Sequence, residues 1–528
     1  MQRRTGAIRS VAGKALYHSF FCTAIAISVR TKDLPMNTDI RPIPDLSGIE
    51  PASVWAHFAT LCRIPRPSKN EAALREHLRQ WAADRRLETQ VDAAGNLIIR
   101  KPASPGREKV PGTILQAHLD MVCQKNADMV HDFSRDPIMP VLRDGWLRAE
   151  NTTLGADNGI GVALALAVLE DEGLVHGPIE ALFTVDEEAG MGGARGLEPG
   201  LLAGRQMLNL DTEEWGEFYL GCAGGLDVNV SRSGTAEAMP PKHSAWRITL
   251  NGLRGGHSGV NIHEERGNAI KLLARVLKDL DAHFALRLAR LDGGTARNAL
   301  PREAFAEIGI AVGCEAELHA RLASWQARLV RELEGVDEGV RVSAQPATVE
   351  QVMSAHEQTT WLASLHAAPH GVKRMSRNLP GVVETSCNLG MVALTPVESS
   401  CNFLVRSLVE GGVEMLGDEI LSLFSLSGTP ASTSGYYPGW APKPDSPLLA
   451  LCQSVYRRAY GNDAKVQVIH AGLECGLIGA KYPGLDIVSF GPTIRSPHAP
   501  GEEVEVASVE HAWGLLTAIL AAMDVDEP

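Results

Sequence analysis

The apolar positions of this chain fall into two textures. Short apolar runs lie at Asn96–Arg100, Thr113–Ala117, Ile179–Val185, Gln206–Leu210 and, much later, Leu485–Phe490. Such runs are the pattern of strands buried on both faces. Helical spacing separates them: Val54, Phe58 and Leu61; Leu74, Leu78 and Trp81 within Glu71–Arg86; Val162–Glu170; and a closing amphipathic stretch Ser508–Met523. From about Gly225 to Tyr436 the pattern changes to alternating strands, such as Ala245–Leu250 and Val382–Leu394, interleaved with helices over Ala269–Leu280 and Glu315–Leu333. The expectation is an α/β protein whose main sheet is interrupted by an inserted α+β domain. The expected boundaries are residues 1–45 for an N-terminal extension, 46–224 and 437–528 for a discontinuous catalytic domain, and 225–436 for the insertion.

Polar residues stand where the apolar runs give out. Thr113–Ala117 delivers His118 and then Asp120; Ile179–Val185 delivers Asp186-Glu187-Glu188; Gln206–Leu210 delivers Asp211. Leu485–Phe490 leads into a proline-braced loop with a single histidine, His498. Ligands in open α/β sheets sit outside the carboxyl ends of the strands, so these residues are expected on one rim, together with Asp157 of Gly155-Ala156-Asp157-Asn158-Gly159. A neutral imidazole beside carboxylates is a metal-ligand pattern, and a nearby carboxylate such as Asp120 is suited to hold the other ring nitrogen. A phosphate loop is excluded at Gly155–Gly161, because neither GxGxxG spacing nor a following Lys-Ser/Thr is present.

Composition narrows the class. With 528 residues, 45% hydrophobic and 21% charged, the chain has the make-up of an ordinary globular protein of two or three domains. A net charge of −13 argues against nucleic acid or an anionic membrane as partner. Nine cysteines without a CxxC pair read as reduced thiols of a cytoplasmic enzyme. Residues 1–35 carry six Lys or Arg and one acid, leaving −18 for the remainder. They read as an extension, disordered or preceding a start at Met36, rather than as an export signal with Ala24-Ile25-Ala26 as its cleavage site.

Two stretches of the insertion carry candidate chemistry. Gly255-Gly256-His257-Ser258-Gly259 presents a histidine among glycines, and Gly293–Pro301 presents polar donors including Asn298. Arg406, in the strand-like run Asn402–Leu408, is either a buried ion-pair partner or a carboxylate clamp.

In order along the chain stand LQAHLDMV, HDF (His131–Phe133), TTLGADNGIG, EEAGM, NLDTEE, GCAGG (Gly221–Gly225), GGHSG, GGTARNALPRE, PGVVETS, YPGW (Tyr437–Trp440) and HAGLECG (His470–Gly476). Together they resemble the M20 metallopeptidase family, and among its branches the bacterial aminoacyl-histidine dipeptidases. The resemblance implies a zinc-peptidase catalytic domain with an inserted lid, two divalent ions, and hydrolysis of Xaa-His (carnosine-like) dipeptides. It implies His118 and Asp211 on one metal, Glu188 and His498 on the other, Asp157 bridging, Asp120 orienting His118, and Glu187 as general base. His257, with Asn298, would close over the site from the lid, while Arg406 and His470 would bind the substrate carboxylate. Zinc suits this donor set, and manganese or cobalt can occupy it too. The rival readings are a related N-acyl amino acid deacylase and, from another class, a non-catalytic peptide-binding protein. The lid, at about 210 residues, is expected as two stacked subdomains, with the enzyme a monomer or homodimer acting on small peptides.

Overall fold

The computed structural model describes Leu46 and residues 48–377, 379–443 and 445–524. The readings of residues 1–45, Met36 included, lie outside the described residues.

An eight-stranded mixed sheet forms the first layer. Its four central strands are Ile179–Thr184, Thr113–His118, Gln206–Asn209 and Asp486–Ser489, parallel to one another. The antiparallel pair Glu88–Val91 and Leu97–Lys101 lies on one side, and Glu217–Cys222 with its parallel neighbour Lys465–Ile469 on the other; Leu97–Lys101 and Glu217–Cys222 each run antiparallel to the central strand beside them. Thr113–His118 and Ile179–Thr184 are buried at every position, which is why both read as mainly apolar runs without polar alternation. Helices Ala52–Arg63, Ala156–Glu170, Pro447–Tyr460 and Val506–Ala522 contribute to the core on one face. A smaller apolar cluster, with Ile98, Ile114, Leu182, Met207 and Ile487 from the strands and Cys475, Leu477 and Ile478 from helix Glu474–Lys481, covers the other.

The strands between residues 224 and 437 build a separate nine-stranded antiparallel sheet, except for the two-stranded pair Ala236–Ala238 and Gln351–Met353. Helices Ala269–Phe284, Glu315–Glu332, Ala355–Ala367 and Glu410–Leu426 pack on it around one shared core. This differs from the expected pair of stacked subdomains. Strand Val383–Leu394 pairs with both Arg287–Gly293 and Glu398–Ser407, so the hydrogen bonding runs unbroken from one half to the other. The chain passes between the two sheets at Cys222 and Trp440, whose backbones exchange two hydrogen bonds of 3.0 Å.

A four-stranded sheet joins Pro140–Arg143 and Trp146–Ala149 to Ile494–Arg495 and Glu503–Glu505. It pins both ends of the loop that holds His498 and Glu502.

Candidate metal centre

His118 ends its strand with a buried ring. Asp157 lies in the first turn of helix Ala156–Glu170, where Asp157 and Asn158 depart from helical angles. This helix begins six residues before the Val162 start that its apolar pattern indicated, because Gly155, in a left-handed conformation, turns the chain into it. Asp157 stands between two imidazoles. Its Oδ1 is 3.2 Å from His118 Nε2 and its Oδ2 is 3.0 Å from His498 Nε2. Asp211 Oδ1 lies 3.3 Å from His118 Nε2, and Glu188 Oε2 lies 3.1 Å from His498 Nε2. His118, Asp157 and Glu188 bring ligand atoms within 4.8 Å of one another.

The electrostatics describe a cluster built around positive charge. Burial pushes the Glu188 and Asp211 carboxyls up. Burial also lowers both imidazoles, but the surrounding acids outweigh it, raising His118 well above its ordinary range and His498 to about 11. Against the cost of burial, hydrogen bonds from His118 and His498 hold the Asp157 carboxyl well below the usual range. Glu188 Oε1 is buried without a hydrogen-bond partner. Mixed imidazole and carboxylate donors with unspent lone pairs fit divalent cations such as zinc.

The acidic loop is set from a distance. Asp120, fully buried, accepts the backbone N–H of Glu187 at Oδ1 (3.0 Å) and that of Glu188 at Oδ2 (3.1 Å), and Ser68 Oγ donates to Oδ2 at 2.8 Å. The same carboxylate stands 3.4 Å from His118 Nδ1. Glu71 Oε1 receives the N–H of Asp186, which sits at φ 57°. With the turn so fixed, Glu187 and Glu188 both line the cleft. Burial, reinforced by Glu188 and Asp211 and opposed by His118, pushes the Glu187 carboxyl well above its usual range.

Two further supports lie outside the motifs that mark the rim. Glu502, buried, accepts the four successive N–H groups of Leu154, Gly155, Ala156 and Asp157 at 2.7–3.1 Å. This carboxylate satisfies the donors of a helix start and so holds Asp157 in place. Arg66, also buried, donates to the carbonyls of Leu119, Asp120 and Gly155.

An open cleft of about 820 Å³ lies beside this cluster. Glu187, Glu188 and His498 line it from one side, and His257, Asn298, Arg406, Asp227 and Tyr437 from the other. His257 Nδ1 accepts the backbone N–H groups of Gly259 (3.2 Å) and Val260 (3.0 Å), so the neutral ring carries its proton on Nε2. Burial, with Arg406 beside it, lowers His257 to about 4. Its Nε2 is 3.4 Å from Arg406 Nη2. Both atoms are donors, so the pair is not a hydrogen bond but a two-donor seat for an anionic oxygen. Arg406, buried on strand Glu398–Ser407, donates to Tyr437 Oη at 2.7 Å and has no carboxylate partner among the described residues. His470 is placed differently: its Nε2 meets Ser386 Oγ at 2.8 Å, and the following Ala471 and Gly472 line the cleft. Gly259 lies so close to the His470 carbonyl that a Cβ there would collide with it. All eight described cysteines are free.

A family model, Peptidase family M20/M25/M40, matches residues 114–522. The chain is 44% identical over 477 residues to the cytosol non-specific dipeptidase of Escherichia coli K12, covering 90% of this chain and 98% of that one. The structure of aminoacylhistidine dipeptidase from Vibrio alginolyticus superposes with a TM-score of 0.80 at 43% identity, covering 91% of this chain and 98% of that one. Aminopeptidase PepT from Bacillus cereus shares the fold at a TM-score of 0.51 and 18% identity, over 90% of this chain and 98% of its own.

Proposed function

The chain belongs to peptidase family M20/M25/M40, and from that membership and the geometry of its rim we propose that it is a metal-dependent dipeptidase acting on Xaa-His substrates. The observation that carries this reading is Asp157, with one oxygen facing His118 and the other facing His498. We assign His118 and Asp211 to one ion, Glu188 and His498 to the second, and Asp157 to both, with zinc as the metal and manganese or cobalt as substitutes. Residues 46–224 and 437–528 form the catalytic domain in this reading, and 225–436 the lid.

Two bound cations would polarise the scissile carbonyl and acidify a shared water. Glu187, whose backbone Asp120 clamps at the edge of the cleft, takes the water's proton and returns it to the leaving amine. His257 donates its Nε2–H to the carbonyl oxygen as negative charge builds there. Arg406, buried and without an acidic partner among the described residues, binds the free carboxylate of the substrate. Asn298 borders the same cleft as a further polar contact. His470 contributes through the backbone of its loop, since its ring is engaged with Ser386.

Histidine as the second residue of the substrate is supported by the Vibrio relative, whose name specifies aminoacylhistidine. A cytoplasmic location is supported by the name of the Escherichia coli relative and by the free cysteines. His257 and Arg406 reach the cleft from the same chain as the ligands, which supports a site complete in one subunit, whether the enzyme is a monomer or a homodimer.

The test is hydrolysis by metal-stripped protein reloaded with zinc, manganese or cobalt. Ala-His and carnosine should be cleaved and N-acetyl amino acids spared. Preference for the N-acetyl compounds would make the protein a deacylase, and binding without turnover of either class would make it a peptide-binding protein.

A further inference from the structure

Beneath the ligand-bearing rim, a connected row of polar side chains crosses the four central parallel strands. Ser489, Asn209 and Gln116 are register partners on neighbouring parallel strands, and all three are fully buried. Ser489 Oγ donates to Asn209 Oδ1, and Asn209 Nδ2 donates to Gln116 Oε1. Gln116 Nε2 donates to Thr184 Oγ1 at 3.2 Å and to Glu474 Oε2 at 2.7 Å. Thr184 Oγ1 donates to the same Glu474 oxygen at 2.5 Å. Central strands of such sheets are normally filled with apolar side chains, and burying polar groups there is costly unless each is paired.

The placement of this row is specific. Gln116 and Asn209 each stand two residues before a proposed ligand, His118 and Asp211, and Thr184 stands three before Glu187. Glu474 closes the row from outside the sheet. It opens helix Glu474–Lys481, which follows directly on the His470–Gly472 loop whose Ala471 and Gly472 line the cleft. Glu474 is fully buried, and its second oxygen, Oε1, has no partner.

We propose that Glu474 is a positioning residue that holds the ends of the His118, Asp211 and Glu187 strands at the spacing two cations need and ties that spacing to the loop bordering the substrate. The proposal rests on the dinuclear reading above. It needs an acceptor at the Oε2 position rather than a negative charge. Burial pushes the Glu474 carboxyl up to about 8, and glutamine keeps a carbonyl acceptor at the same place and at matched size.

The experiment is a zinc titration of metal-stripped protein in competition with a chelator, run on wild type, Glu474→Ala and Glu474→Gln, with thermal melts of the stripped proteins alongside. Glu474→Ala should bind zinc about 10- to 100-fold more weakly, the range for groups that orient ligands. Glu474→Gln, which keeps the acceptor, should bind zinc like wild type and escape that loss. A purely structural side chain would lower both melting temperatures and leave zinc affinity alone. Wild-type affinity in Glu474→Ala, or equal loss in Ala and Gln, overturns the proposal. If Glu474→Ala does not fold, Thr184→Val removes one donor to the same oxygen at matched size; weaker zinc binding supports the proposal and unchanged binding overturns it. The wild-type stoichiometry in the same titration tests the dinuclear reading separately, since fewer than two ions would sink that reading whatever the variants do.

Discussion

Asp120 and Glu187, separated by 67 residues, are joined by a 3.0 Å hydrogen bond from the backbone N–H of Glu187 to Asp120 Oδ1. Asp120 therefore does more than orient an imidazole: it also fixes the turn that aims Glu187 and Glu188. Asp120→Ala should weaken metal binding about 10- to 100-fold and, by misaiming Glu187, lower kcat beyond what added metal restores. Full recovery of kcat at saturating zinc would confine Asp120 to the His118 side.

Glu187 is assigned to the proton and not to the metal. Glu187→Gln should retain the wild-type metal content while kcat falls by about 10²- to 10⁴-fold. Elemental analysis beside steady-state kinetics checks both halves, and loss of an ion in this variant would move Glu187 into the ligand set.

His257 and Arg406 present two donors 3.4 Å apart, but their expected effects differ. His257→Ala should lower kcat about 10²- to 10³-fold, the loss expected for one oxyanion donor, with KM little changed. Arg406→Ala should raise KM for a dipeptide and leave the corresponding dipeptide amide nearly unaffected, because the amide has no carboxylate to lose. Equal penalties on acid and amide would contradict the assignment.

How much of this was legible in the chain follows from how far each contact reaches. The strands leading to His118 and Glu187 could be read because they are buried at every position, so that most of their residues are apolar. The register of Asp186-Glu187-Glu188 could not be read from the residues themselves. Neighbouring carboxylates point different ways, and their turn is set by Asp120 and Glu71, 67 and 115 residues away. Glu502 sits in a charged Gly-Glu-Glu-Val-Glu stretch that looks like surface, yet it holds the Asp157 loop across as many as 348 residues. No local pattern marks such a contact. The unbroken lid sheet was hidden for a related reason, since strand pairing between distant segments is not written in either one.

Acid stability carries a further expectation. Burial, with Arg406 and His257 nearby, lowers His470 to about 3, so the folded protein keeps this ring neutral where an unfolded chain would protonate it near 6.5. Its stabilising contribution is thus fully present above about 6.5 and is lost as pH falls toward 3, by up to about 1.4 kcal/mol per pH unit. His470→Gln should flatten the decline of the urea midpoint between pH 6.5 and 4. An unchanged slope would show that the ring titrates alike in both states.

The most direct test of the central claim is the number of divalent ions bound per chain, measured by elemental analysis after zinc reloading of wild type and His498→Ala. Two ions in wild type and one in the variant, with dipeptide hydrolysis lost alongside the second ion, is the expected result. Two ions retained in His498→Ala, or full dipeptidase activity in wild type holding a single ion, would contradict it.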